Sequence, residues 1–204
     1  MKKLTLMFLL AVFFGSFSLS AQEVKPTYHK AQIGITYSSF GSNDVFRKEE
    51  LIGGAGYSGD RFYNLGIDYL YSLNRIFDFE TGIEYADHKI TITPGVSPEH
   101  YPSYGSGFSL ITIPLGIRMN FLRYFFVNGG LIFDVDASQS MPISNQTGLG
   151  FNLGLGFKYN FKCGFTAFVN PYTKYHSLVP FSSEQYPQHL LESGIRLGLM
   201  YRLK

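Results

Sequence analysis

Bulky apolar side chains alternate with small or charged ones along most of this 204-residue chain, a period of two that restricts it to β-strands. Successive strand residues point to opposite faces, so the pattern sorts side chains by face. From Leu149 to Tyr159 one face carries Leu149, Phe151, Leu153, Leu155, Phe157 and Tyr159, and the other Gly150, Asn152, Gly154, Gly156 and Lys158. From Phe77 to Tyr85 the apolar face opposes Asp78, Glu80, Gly82 and Glu84. The last segment sets Leu191, Ser193, Ile195, Leu197, Leu199, Tyr201 and Leu203 against Glu192, Gly194, Arg196, Gly198, Met200 and Arg202. Further segments over Ala31–Phe40, Arg61–Leu73, Phe108–Met119, Tyr124–Val135 and Phe165–His176 bring the expected number of strands to eight.

The amino terminus breaks the pattern. Met1-Lys2-Lys3 precedes an apolar run from Leu4 to Phe14, then small residues around Ser16, Ser18, Ser20 and Ala21, which is the layout of a secretory signal peptide. The run falls short of the roughly 20 residues a spanning helix needs. The expected organisation is therefore a cleaved signal over residues 1–21, cut after Ala21 or Ser20, and one domain over 22–204. Without Lys2 and Lys3 the 17 basic residues fall level with the 15 acidic ones, which removes electrostatic support for a nucleic-acid partner.

A soluble barrel would share the period, so the decision rests on which face is bulky. Soluble barrels place bulky apolar groups inside and charges outside; here the small and charged face suits the narrow lumen of an eight-stranded barrel, leaving the Leu/Ile/Phe face to lipid. Connections alternate in length. Short turns fall at Asn74-Arg75, 120–122 and 160–162, and longer links at 41–60, 91–107, 136–147 and 177–188. The expected fold is an all-β, transmembrane, antiparallel up-and-down β-barrel in the outer membrane, with short periplasmic turns, longer extracellular loops and both mature termini in the periplasm. Tyr37, Tyr63, Tyr124, Tyr159 and Tyr201 are candidates for interfacial aromatic girdles. Pro114 and Pro171 fall inside expected strands, where a missing N–H predicts a bulge or strand end.

Three stretches carry a family resemblance: Leu110-Ile111-Thr112-Ile113-Pro114-Leu115-Gly116-Ile117-Arg118, Tyr124-Phe125-Phe126-Val127-Asn128-Gly129-Gly130, and Gly194-Ile195-Arg196-Leu197-Gly198-Leu199-Met200-Tyr201. Through them the chain resembles the PorT-like family of small outer-membrane barrels common in Bacteroidetes, and more distantly the eight-stranded OmpX and OmpA type. The resemblance implies location and architecture. It implies as partners the lipid and lipopolysaccharide of the outer membrane, the barrel insertion machinery, and an envelope-protein or host-surface partner reached through the loops. Many such barrels end in an aromatic residue, whereas this chain ends Tyr201-Arg202-Leu203-Lys204.

On the expected lumen face lie Asp68, Asp78, Glu80, Glu84, Asp134 and Glu192, against Arg118, Lys158, Lys174, Arg196 and Arg202. Charges confined in a low-dielectric interior need partners, so a salt-bridged network is expected, with Arg118 meeting Asp78 or Glu80 and Arg196 meeting Glu84, and Glu192 within it. The same residues could line a gated ion path instead. A lipid A-modifying barrel enzyme is the rival class, with His176-Ser177 at a strand end, but adjacent strand residues face opposite ways, so no catalytic residue is assigned. His29, His88, His100, His176 and His189 show no ligand spacing, so no metal or cofactor is expected. Gly148-x-Gly150-x-x-x-Gly154 misses the dinucleotide fingerprint by one position; its glycines are expected to make room beside Phe168 and Tyr172. Cys163 is alone and makes no intramolecular disulfide. The tyrosine- and proline-rich link 91–107 is the candidate binding surface. The function expected is that of a non-enzymatic barrel acting through loops or envelope-protein contacts, in adhesion, envelope integrity or secretion support.

Overall fold

A computed structural model describes residues 31–47, 54–95, 101–138, 142–183 and 187–203. The signal-peptide expectation, His29 and His100 lie outside them. Eight antiparallel strands close into a barrel in chain order: β1 (Ala31–Arg47), β2 (Gly56–Ser72), β3 (Phe77–Thr93), β4 (Tyr104–Phe121), β5 (Phe125–Asp136), β6 (Gly148–Asn160), β7 (Phe165–Pro180) and β8 (Gln188–Leu203). The seam between β1 and β8 runs from Ala31↔Leu203 to Arg47↔Gln188, so no strand edge is left at membrane depth.

The strands run further than the period alone predicts. The expected link 41–60 is strand at 41–47 and again from Gly56, and the expected link 91–107 shrinks between Thr93 and Tyr104. The cause is a reversal of polarity along β3. Outward residues Phe77, Phe79, Ile83 and Tyr85 give way to Asp87, Lys89, Thr91 and Thr93, while inward Asp78, Glu80 and Glu84 give way to Ala86, His88, Ile90 and Ile92. Below the reversal the barrel is apolar outside and charged inside; above it, apolar inside and polar outside. The outward apolar stretch of β6, Leu149 to Tyr159, spans about 25 Å at ~3.3 Å per residue and a tilt of about 40°. That matches the ~25 Å apolar band of outer-membrane barrels. β1 to β4 therefore rise past the band as a wall with an apolar inner face, whereas β5 stops at Asp136 and β6 starts at Gly148.

Neither proline acts as expected. Pro114 pairs with Ile132 and Pro171 with Ile195 without a register shift, each at an interior strand position; the Pro114 ring is buried on the lumen side, and that of Pro171 faces outward. The shifts lie between Ser38 and Phe40, between Gly59 and Arg61, and opposite Leu149 and Phe151. Glycine makes room in the lumen, but the glycines that house the rings are Gly156 and Gly198. A Cβ on Gly156 would overlap the Phe126 ring, and one on Gly198 the Phe168 ring. Gly154 instead abuts Asn128 and Asn170.

Candidate functional site

The inward side chains stack in layers. Nearest the tight turns, Leu70, Phe126, Phe168 and Met200 form a buried apolar plug. The guanidinium of Arg118 lies 4.2 Å from the Phe126 ring centroid and 4.9 Å from that of Phe168, so the plug also carries a cation on its π-faces.

Above it sits an ion network of three acids and three bases. Arg118 donates to both carboxylate oxygens of Glu80, from Nη2 at 2.9 Å and Nε at 3.2 Å, the bidentate geometry a guanidinium favours. Arg196 donates to Glu80 Oε1 at 2.9 Å and to Asn170 Oδ1 at 3.0 Å, and its Nη1 lies 3.4 Å from Glu84 and 3.6 Å from Asp68. Lys174 closes the network on Glu84. All six are buried, so the attraction acts in a medium that screens it weakly.

Asp78 stands opposite Arg118 in register but accepts from Asn120 at 2.7 Å instead, at the turn end of the lumen. Glu192 joins no arginine. Asn64 and Tyr172 each donate to its Oε1 at 2.6 Å, and Lys174 Nζ lies 3.7 Å away. The amides and the phenol escape a search for charges, yet the period places them: Asn64 shares the inward parity of Asp68, and Tyr172 that of Lys174.

The third layer holds histidines that look scattered in sequence. His176 Nδ1 lies 3.0 Å from Asp134 Oδ2, its Nε2 lies 3.7 Å from Glu192 Oε2, and His88 Nε2 lies 3.4 Å from the same oxygen. The two rings are 6.1 Å apart, and His88 stacks between Phe62 and Phe108. The opposite-face argument fails at His176-Ser177. Ser177 has φ 51° at the register shift opposite Leu149 and Phe151, and this bulge turns both residues inward, so both are buried. His189 Nδ1 meets the Ser177 carbonyl at 2.9 Å on the same bulge.

An imidazole between two carboxylates has the composition of an acid–base relay. Here, however, His88, His176, Asp134 and Glu192 have 0% of their surface exposed, and no substrate reaches them in this state. Among the described residues no group of three or more His, Cys, Asp or Glu side chains is placed to hold a metal ion. Cys163 is free and exposed in the third tight turn.

A fourth, apolar layer closes the other mouth. Val45, Ala86, Ile90, Ile92, Phe108 and Leu190 line the inside of the tall wall, and Ile143, from the connection between β5 and β6, packs among them. That connection is tied to β8: Ser144 N–H donates to Gln188 Oε1 at 3.0 Å, Gln188 N–H to Ser144 Oγ at 3.1 Å, and Gln146 Nε2 to the Gln188 carbonyl at 2.8 Å. Its residues 142–147 thus reach to β8 as a strap over the mouth.

The outward surface is a continuous belt of exposed Leu, Ile, Val, Phe and Tyr, including Ile35, Leu65, Ile67, Ile83, Leu115, Leu131, Leu153 and Leu155. Tyr63 and Tyr85 lie 6.5 Å apart toward the loop end, and Tyr124, Tyr159 and Tyr201 lie toward the turn end.

The chain is similar to known structures at low identity. The outer membrane protein OprG from Pseudomonas aeruginosa is 14% identical, with 86% of this chain and 96% of that chain covered and a TM-score of 0.53. AlkL, solved by solid-state NMR in lipid bilayers, is 14% identical over 91% and 96% at 0.47. Ail, the attachment invasion locus protein of Yersinia pestis, is 14% identical over 85% and 99% at 0.41, in complex with a heparin analogue. Comparison with curated protein sequences gives no significant match. The family model for the outer membrane protein beta-barrel domain matches residues 7–202, and the chain belongs to that family.

Proposed function

We propose that this protein is a non-conducting, non-enzymatic outer-membrane barrel of PorT-like type that works as a surface platform, presenting its tall wall and long loops to a partner. In this reading the tight turns and both mature termini face the periplasm and the loops face outward. The observation that carries it is the filled lumen: an apolar plug, an ion network, a histidine layer and an apolar cap follow one another with their side chains buried. An ion path needs water or mobile polar groups along its length, and the two apolar layers offer neither. The buried His176–Asp134 pair likewise has no route to a lipid substrate.

The surface suited to a partner is the wall. β4 pairs with β5 only from Leu110, and Ser109 closes that side by accepting from Ala137 N–H. From Tyr104 to Phe108 no described strand lies on the β5 side, and the segment Tyr-Gly-Ser-Gly-Phe carries neither charge nor proline to discourage pairing. A partner's extended segment could add there as a further strand.

The test pairs two measurements. Planar-bilayer recording of the purified protein should show no discrete conductance. Replacing residues 95–102 with a short Gly-Ser link together with Gly105→Lys, which puts a charge on the open edge where an added Cβ meets no atom within 4 Å, should leave a heat-modifiable folded band on gels while abolishing crosslinking to the envelope or surface partner. Discrete conductance in the parent protein, or unchanged crosslinking in the variant, would sink the proposal.

A further inference from the structure

The three tight turns share a composition that the lumen and the loops do not explain. Each carries one exposed base and no acid: Arg75 between β2 and β3, Arg123 between β4 and β5, and Lys162 between β6 and β7. These connections follow every second strand, so the bases are spread around the rim rather than clustered. The fourth quarter, where β1 meets β8, carries Arg202. Asp78 is the one carboxylate at this end among the described residues, and it is buried against Asn120. The other end differs: Asp44 and Asp60 are exposed and Asp87 and Asp136 half-buried, against Arg47, Arg61 and Lys89.

The neighbours of these bases point to the occupant. Leu73, Ile76, Leu122 and Phe161 sit in or beside the same turns with 51%, 50%, 55% and 41% of their surface exposed. A turn projecting into water or docking a soluble acidic protein has no use for such side chains, whereas a turn seated in a membrane interface buries them among acyl chains. The rim of Tyr71, Phe77, Phe125, Tyr159, Phe165 and Tyr201 lies directly above, where an aromatic girdle marks that interface. Among the described residues Arg75, Arg123 and Lys162 make no ion pair, and Arg123 lies over the Tyr124 ring, 5.4 Å from its centroid.

We infer that the turn end of the barrel is a ring of binding sites for anionic phospholipid headgroups, with Arg75, Arg123 and Lys162 each holding a phosphate while Leu73, Ile76, Leu122 and Phe161 enter the acyl region. The inference rests on the charge and apolarity of the turns and stands independently of what the loops bind. A cation near an anionic bilayer surface contributes roughly a fivefold preference.

Cys163, next to Lys162, gives the test a built-in probe position. The protein carrying a fluorophore on Cys163 is reconstituted into phosphatidylcholine vesicles containing either brominated phosphatidylglycerol or brominated phosphatidylcholine. Relative quenching gives the preference for the anionic lipid at the turn. The expected ratio at low salt is about five, falling to near one in 1 M NaCl and in Lys162→Gln. The triple variant R75Q/R123Q/K162Q should lose the preference as well, and a heat-modifiable band reports that each variant is folded; if the triple variant does not insert, Lys162→Gln alone decides. A ratio of one in the parent protein at low salt, or a preference that Lys162→Gln leaves intact, overturns the inference.

Discussion

Replacing Arg196 with methionine tests whether the central network is held by charge balance. Arg196 reaches Glu80 at 2.9 Å, Glu84 at 3.4 Å and Asp68 at 3.6 Å. Methionine fills much of the same volume without charge, so Asp68, Glu80 and Glu84 would then share only Arg118 and Lys174. Removing one member of a buried ion pair costs about 3–5 kcal/mol, because the partner left behind has lost both water and counter-charge. With a urea dependence of roughly 1–3 kcal/mol per molar, the unfolding midpoint in lipid vesicles should fall by about 1–5 M. The double variant Arg196→Met, Asp68→Asn restores two acids to two bases and should recover at least half of the loss. Unfolding would be followed by far-UV circular dichroism and by the gel mobility of unboiled samples, since the chain has no tryptophan. A loss under 1 kcal/mol in the single variant, or a double variant no more stable than the single, would refute the reasoning: the network would then be held by packing rather than charge balance.

Two further outcomes follow from the layers and the belt. Gly198→Leu places atoms where the Phe168 ring lies, so it should destabilise the barrel by about 1–3 kcal/mol or block insertion, seen as a lower temperature for the gel-mobility shift. Leu153→Arg, on the lipid face of β6, should cost about 2–4 kcal/mol, whereas Thr91→Arg, outward on β3 past the polarity reversal, should cost about 1 kcal/mol or less; equal costs in urea titrations would mean that the belt boundary at Tyr85 is misplaced.

The strands and their facing were legible in the sequence because period two is a local property. Whether Leu153 faces lipid and Asn152 the lumen follows from parity and from which face is bulky, without knowledge of any neighbour. The inward charges followed for the same reason, as did the glycine-lined side of β6 that an eight-stranded lumen requires. Strand ends were not legible. Above Tyr85 the two faces exchange polarity, and the period continues with its meaning reversed, so residues 41–47 and 56–60 read as links although they pair in the wall.

What only the tertiary structure decided depends on register between strands far apart in the chain. Parity puts Arg118 and Asp78 on one face, but the geometry across β3 and β4 gives Arg118 to Glu80 and leaves Asp78 to Asn120. His88, His176 and Glu192 lie on three different strands, and closure of the barrel brings both imidazoles within 4 Å of the Glu192 carboxylate. The bulge at Ser177 is set by the register of β6 on β7, and no rule of alternation foretells two adjacent residues facing inward. The strap that seats Ile143 belongs to the same class, since it depends on the shortness of β5 and β6 beside the taller β8. The sequence by itself determined which side of each strand meets lipid, because that is written residue by residue. The fold alone determined which buried groups meet each other, because a partner's position is fixed only when the sheet closes.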